Sequence, residues 1–317
     1  MDAGEVGRVA QATRERIGRV VMGHDQTVTL MMAALLAEGH VLLEGVPGTA
    51  KTLLARTFAS LLDLQFRRIQ FTPDLMPADI LGTNLFDMEK RRFVLQQGPV
   101  FTEQLLADEI NRAPPKTQAA LLEAMQERSV TLDGTTRALS PAFMVIATQN
   151  PVEQEGTYPL PEAQLDRFLF KLHIGYPARD QELEMVRVHG GRRAPPAPAA
   201  PEPPVADRDW IVEARAAVAG VELREPVIAY IVDLVRATRE HQSLLCGASP
   251  RSVNMLAHAA RAMAALDGTG YVVPDHVKQL CGSLLAHRVI LSPAAEIDGQ
   301  TSRAIVQHIV EQTPAPR

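Results

Sequence analysis

The segment from Glu44 to Leu54, EGVPGTAKTLL, lies between an apolar run, HVLLEG, and a stretch of helical spacing, KTLLARTFASLL. A buried strand, a glycine-rich turn and a helix in direct succession constrain the fold more than any other part of the chain. Such a turn aims backbone N–H groups at one centre, at the positive end of the helix, an arrangement that holds phosphate. The general pattern is G-x-x-x-x-G-K-[ST]. Gly45, Lys51 and Thr52 fit it, but Ala50 stands where the second glycine belongs and Gly48 lies two residues earlier. Alanine keeps its N–H, so no donor is lost.

On this reading Gly45 permits the sharp exit from the strand. Val46, Pro47, Gly48, Thr49, Ala50 and Lys51 form the cradle. Lys51 supplies a point charge for the β- and γ-phosphates, and Thr52 offers a hydroxyl to Mg²⁺. A left-handed backbone costs alanine about 1–2 kcal/mol. The sequence therefore predicts a negative φ at Ala50, inside the first helical turn, with Gly48 taking any strained position.

A second apolar run, LLADEI, ends in Asp108 and Glu109. Two carboxylates at the end of a buried strand are costly unless something uses them. Asp108 fits a role in holding Mg²⁺, and Glu109 fits a general base that polarises the attacking water. A third run, AFMVIATQN, ends in Thr148, Gln149 and Asn150 before Pro151. Asn150 is the candidate to reach between Glu109 and the terminal phosphate. In isolation the reading as a turn residue before proline is the stronger one.

The rest of the chain supplies the frame. Residues 5–40 read as two helices, the second stopping at Gly39. FRRIQF and FLFKLHI read as strands, PPKTQAALLEAMQER as a helix, and SVTLDGTTRAL as a hairpin about Asp133-Gly134. Residues 73–100 read as an irregular insertion containing DILGTNLFD and RRFVLQQGPVF. Strands alternating with helices predict an α/β fold with a parallel sheet. From Arg192 the chain is rich in Pro and Ala, which excludes helix and central strand and predicts a loop or linker. Beyond it the spacing is all-helical, with Val227, Ile228, Ile231, Leu234 and Val235 on one face.

Composition narrows the partners. A net charge of -5 argues against a chain drawn as a whole to nucleic acid. The two cysteines, Cys246 and Cys281, cannot make a disulfide framework, and read as small buried side chains in a reducing compartment. His24, His40, His173, His258 and His287 lack partners at metal-ligand spacing and read as core or surface residues. The first residues lack the apolar core of a signal peptide, and the expectation is a cytoplasmic protein.

These motifs together resemble the AAA+ ATPases, specifically the MoxR family. GVPGTAKT, LLADEINRAPPKTQAALLEAMQE, VTLDG, IATQNPVEQEGTYPLPEAQLDRF and GYP run in that family's order over nearly the whole chain. The resemblance implies a P-loop NTPase core with helices on both faces of a parallel sheet, over residues 1–177. A smaller all-helical lid would follow over 178–317, with a Pro/Ala-rich loop at about 192–206. It makes Gly45–Thr52 the Walker A loop, Asp108 and Glu109 the Walker B pair, and Asn150 sensor 1. It makes Arg167 the arginine finger for a neighbouring subunit and Arg251 sensor 2, with Arg112 the second choice for the finger. Residues 73–100 and the Asp133-Gly134 hairpin resemble the helix-2 insert and pre-sensor hairpin, elements that face the pore of such rings. The implied function is Mg-ATP hydrolysis with ATP/ADP and Mg²⁺ as cofactors, in a homo-oligomeric ring, a hexamer. The output would be chaperone-like remodelling or maturation of a protein partner, a von Willebrand factor A domain protein being one candidate. Two rivals stay open at this stage: a nucleic-acid-remodelling motor and a nucleotide-gated scaffold with little turnover.

Overall fold

The computed structural model describes residues 1–89, 91–152, 156–189 and 203–316. Most of the Pro/Ala-rich stretch expected as a linker lies outside the described residues.

The chain opens with two helices, α1 (Ala3–Val20) and α2 (Asp25–Leu36). α2 does not stop on Gly39 in a left-handed turn. Glu38 takes that conformation, at φ 56, and the Gly39 N–H reaches back to Ala34 O at 2.7 Å. Gly39 is small for another reason: a Cβ there would fall 2.5 Å from that of Leu169.

There follow β1 (Val41–Glu44), α3 (Lys51–Leu61) and β2 (Phe66–Gln70). Then come α4 (Pro77–Leu81), β3 (Gly82–Asp87), β4 (Arg92–Gln97) and β5 (Gln104–Asp108). A 3-10 turn, Ile110–Arg112, leads to α5 (Pro115–Glu127), β6 (Ser129–Leu132), β7 (Thr135–Ala138) and β8 (Met144–Gln149). The α/β part ends with α6 (Glu162–Leu165) and β9 (Phe170–His173).

Five of these strands form one parallel sheet in the order β2-β5-β8-β1-β9. Side chains alternate across it, as period 2 demands. Val41, Leu43, Leu106, Met144 and Ile146 pack with α1, α2 and α3, while Leu42, Leu105, Ala107, Val145 and Ala147 pack with α5 and the Ile80 end of α4. Burial on both faces explains why these strands read as continuous apolar runs.

The insertion is more regular than the sequence suggests. β3 and β4 pair antiparallel, from Gly82↔Gln97 to Asp87↔Arg92. Most of their side chains are exposed, so no buried face imprints an alternating pattern. Phe86 and Phe93 meet edge to face across the ribbon, 5.3 Å between centroids. β6 and β7 form the expected hairpin, Asp133 and Gly134 both taking positive φ, 48 and 77. Asn84 Nδ2 donates to Asp133 Oδ2 at 2.6 Å, clasping one hairpin to the other.

Seven further helices complete the molecule among the described residues: α7 (Arg179–His189), α8 (Arg208–Ala219), α9 (Glu225–Glu240), α10 (Arg251–Leu266), α11 (Pro274–Leu285), α12 (Pro293–Ile297) and α13 (Ser302–Gln312). This part is not purely helical. Between α9 and α10 lies β10 (Leu244–Cys246), which pairs antiparallel with β11 (Ile290–Leu291). Strands this short carry no readable period. On α9, Val227, Ile231, Leu234 and Val235 are buried, but Ile228 is exposed. Cys246, expected inside, is exposed on β10; Cys281 is buried, which pushes its thiol up to about 12. One apolar cluster runs from β1, β8 and β9 through α1 and α2 into α10, α11 and α13, so the sheet and the following helices share a core.

Candidate functional site

The cradle grows from the end of β1. Gly45 has no room for a side chain: a Cβ would come within 2.4 Å of Ile174 O. Gly48 takes a positive φ of 85, as expected. Ala50 does not behave as expected. Its φ is 57 and ψ 19, and it is the N-cap of α3 rather than a residue of its first turn. The reason is the shape of the loop. A left-handed residue directly before a right-handed one turns consecutive N–H groups into a single concavity, the geometry that cradles an anion. The helix starts at Lys51, with Leu54 N–H on Ala50 O at 2.8 Å, and the Thr49 hydroxyl ties back to Val46 O at 2.9 Å.

Lys51 Nζ folds over the loop and donates to Gly45 O at 2.5 Å and Val46 O at 2.9 Å. Burial lowers its pKa, and Asp108 and Glu109 act against that shift. Val46 and Pro47 complete the loop, and Pro47–Leu53 line a cavity of about 390 Å³ together with Asp108, Glu109 and Thr148–Asn150. Three segments far apart in sequence therefore converge on one space. β1 and β5 both flank β8 in the sheet, so their carboxyl ends and that of β8 open on the same side.

Asp108 is buried and fully engaged. Thr148 Oγ1 donates to its Oδ1 at 2.6 Å. Its Oδ2 accepts Arg68 Nη2 at 2.7 Å, Arg68 Nε at 3.0 Å and the Thr52 hydroxyl at 3.3 Å. A hydroxyl and a carboxylate this close form the hard oxygen set that Mg²⁺ takes. The Arg68 guanidinium shares that oxygen. Glu109 follows the strand in a left-handed conformation, φ 56, with its N–H on Thr148 Oγ1 at 2.8 Å. Its Oε2 accepts Gln70 Nε2 at 2.6 Å and Arg112 Nη1 at 3.0 Å. Asn150 is buried, and its Oδ1 accepts the Val152 N–H at 3.1 Å, closing a turn of its own.

Arg112 thus lies on the Glu109 of its own chain. Arg167 and Arg251 lie elsewhere. They line a second cavity, of about 280 Å³, shared with Gly39 and His40 at the amino end of β1. The four residues of β1 separate that end from the cradle, a span of about 13 Å at strand rise. Arg167 Nη1 donates to Leu122 O at 2.7 Å. The geometry brings together Gly45–Thr52, Asp108, Glu109 and Asn150, and brings Arg167 to Arg251, but does not bring the two sets together within one chain.

Sequence reasoning passed over three groups here. Thr148 bridges Asp108 and the Glu109 N–H, while Arg68 and Gln70 pair with the two acids. The alternation of FRRIQF held a signal for the latter two, since Arg68 and Gln70 share a face of β2. No helix among the described residues is long and apolar enough to cross a membrane.

The chain is similar to known proteins over most of its length. Residues 40–170 match the model of the ATPase family associated with various cellular activities (AAA), and residues 236–309 match the AAA lid domain. The Bacillus subtilis protein YeaC is 46% identical over 95% of this chain and 93% of its own. Chaperone MoxR1 of Mycobacterium tuberculosis is 40% identical over 99% of this chain and 84% of its own. Protein MoxR of Methylorubrum extorquens is 34% identical over 98% of this chain and 96% of its own. A crystal structure of a Cytophaga hutchinsonii protein, 40% identical, superposes with a TM-score of 0.86 and covers 98% of both chains.

Proposed function

The chain belongs to the MoxR family of AAA+ ATPases, and from that premise we propose that it hydrolyses Mg-ATP in a head-to-tail ring and uses the work to remodel or mature a protein partner. The observation that carries this reading is the convergence of the Gly45–Thr52 loop with Asp108, Glu109 and Asn150 on one cavity.

Each residue has a task in the proposed reaction. The N–H groups of Gly48–Thr52 hold the phosphates, and Lys51 leaves its two loop carbonyls to meet the β/γ oxygens. Thr52 and Asp108 would hold Mg²⁺, which when bound neutralises charge on the phosphate oxygens. Thr148 fixes the Asp108 carboxylate from behind. Glu109 accepts a proton from the attacking water and aims it at the terminal phosphorus, and Asn150 orients the water between them. Residues 1–177 would serve as the ATPase core and 178–317 as the lid.

The ring rests on the position of Arg167 and Arg251. Both stand beyond the amino end of β1, away from the loop of their own chain. A head-to-tail neighbour puts that end against another chain's cradle, and such heterologous contacts close into rings. A hexamer is the size we infer from the family. Charge supplied across the junction is worth about 10³–10⁵ in rate in other phosphoryl-transfer systems. The name of the M. tuberculosis relative supports a chaperone-like output, with a von Willebrand factor A domain protein as a candidate client and the cytoplasm as the place of action.

The test is ATP turnover against protein concentration. Turnover per chain should rise with assembly. Lys51→Ala should abolish nucleotide binding by calorimetry. Glu109→Gln should bind ATP while losing about 10²-fold or more in turnover, the usual worth of a general base. A fast Glu109→Gln enzyme, or ATP binding that survives Lys51→Ala, would remove the site assignment.

A further inference from the structure

The segment that carries Arg167 is held from the helical part chiefly by one buried side chain, that of Arg288. Arg288 follows α11, and its side chain is 2% exposed. Its Nε donates to Asp166 Oδ1 at 2.7 Å. Its Nη2 donates to Asp166 O at 3.0 Å and Phe168 O at 2.6 Å, and its Nη1 to Leu169 O at 3.2 Å. One guanidinium therefore grips the chain on both sides of Arg167. Next to it, His287 Nε2 lies 3.1 Å from Phe168 O.

The same group also touches the element that bears Arg251. Arg288 Nη2 lies 3.2 Å from Met255 Sδ on α10, one helical turn beyond Arg251, and Nη1 donates to Leu284 O of α11. Arg167 and Arg251 then face one cavity with Arg128 and His258. The carboxylate lining that cavity, Glu38, pairs with Arg128 at 3.5 Å. Among the described residues neither Arg167 nor Arg251 forms an ion pair. Two guanidinium groups without an ion-pair partner, opening on one space, suit an anion.

We propose that Arg288 is a positioning residue that locks Arg167 and Arg251 into one cationic pair, set to receive the terminal phosphate held by a second copy of this chain. This rests on the ring reading above. A buried guanidinium donating in several directions fixes a turn more firmly than a hydrophobic contact, because each carbonyl it releases would be left without a partner. The turn bearing Arg167 is thereby tied to the helical part as well as to α5, through Leu122 O, and to the start of β9. Burial lowers the Arg288 pKa to about 10 while Asp166 opposes the shift, so the clamp is charged at neutral pH.

The experiment uses two variants of the full chain. Asp166→Asn removes the charged partner at a half-buried position; Arg288→Lys keeps the charge but loses the planar fork. Each should lose about 10²-fold in turnover, the scale of a misplacement of roughly 1 Å, with ATP affinity of the subunit unchanged by calorimetry. If Arg288→Lys does not fold, Asp166→Asn carries the test. The decisive readout is mixing with Glu109→Gln subunits. A clamp variant keeps its own cradle and Glu109, while a Glu109→Gln subunit keeps a correctly held arginine pair. Mixed rings should regain turnover, and so should the control mixture of Arg167→Ala with Glu109→Gln. Wild-type turnover in Asp166→Asn overturns the clamp, as does loss that mixing fails to restore while the Arg167→Ala mixture recovers. If the Arg167→Ala mixture also stays silent, the shared-site reading itself falls, and the clamp with it.

Discussion

The side-chain amide of Gln70 donates to Glu109 Oε2 at 2.6 Å, on the same oxygen that receives Arg112 at 3.0 Å. The register explains the meeting, since β2 pairs with β5 so that Gln70 sits opposite Asp108. A carboxylate held by two donors has less to offer a water. We expect Gln70→Ala to raise basal ATP turnover about tenfold, which corresponds to about 1.4 kcal/mol and is within the worth of one charge-assisted hydrogen bond. ATP affinity should not change. Steady-state kinetics at saturating ATP checks this, and a slower variant would show that Gln70 aims the base instead of restraining it.

Ala50 holds a left-handed backbone at φ 57, where its Cβ crowds the following carbonyl. Glycine at this position should relieve that strain at little cost to the cap. The gain is reduced by the freedom glycine adds to the unfolded chain. We expect Ala50→Gly to stabilise the protein by about 0.5–1 kcal/mol net, read as a shift of the denaturation midpoint at unchanged slope. A destabilised variant would mean that the alanine methyl makes a packing contribution larger than the strain.

Arg68 occupies Asp108 Oδ2 with two nitrogens, although its side chain is 43% exposed. A guanidinium there competes with any cation sharing that oxygen. Arg68→Gln should tighten Mg²⁺ binding in the presence of ADP. The effect should be about two- to fivefold, because an exposed pair is worth only about 0.2–1 kcal/mol. Calorimetric Mg²⁺ titration decides it; weaker binding would make Arg68 part of the cation site's support.

His40 is buried, accepting the Val145 N–H at Nδ1 (3.0 Å) with Nε2 3.2 Å from Met125 O, so Nε2 carries the proton. Burial, reinforced by Arg128, lowers its pKa from 6.5 to about 3. The unfolded chain binds this proton and the folded one does not. Stability is therefore full above pH 6.5 and falls as pH drops towards 3. Between pH 7.5 and 5.5 this one group should cost about 1.4 kcal/mol. His287 is shifted the same way by burial and adds to the slope. Denaturant midpoints at the two pH values, for the wild type and His40→Gln, check the assignment. Equal pH dependence in both would place the sensitivity elsewhere.

Where the determinants are local, the sequence was legible. The cradle, the Asp108-Glu109 strand end and the Asp133-Gly134 hairpin depend on residues within one turn or one strand. The parallel core was visible because burial on both faces writes unbroken apolar runs. The β3–β4 ribbon was not, because its faces are exposed and leave no period. Ala50 was misjudged because intrinsic preference was weighed without the convergence of N–H groups that the loop requires.

What the sequence by itself determined is the chemistry on offer: a phosphate cradle, two acids at a strand end, an amide at the next strand end, and arginines ahead of the last core strand and in the lid. Only the tertiary structure decided how these groups divide. Strand order put the cradle and the acids on one side of the sheet and Arg167 with Arg251 on the other. Strand register set Gln70 and Arg68 on the acids, and the packing of α11 set Arg288 around Arg167 from more than 100 residues away. Pairings over such separations depend on which surfaces meet when the core closes, and no local pattern in a chain records that.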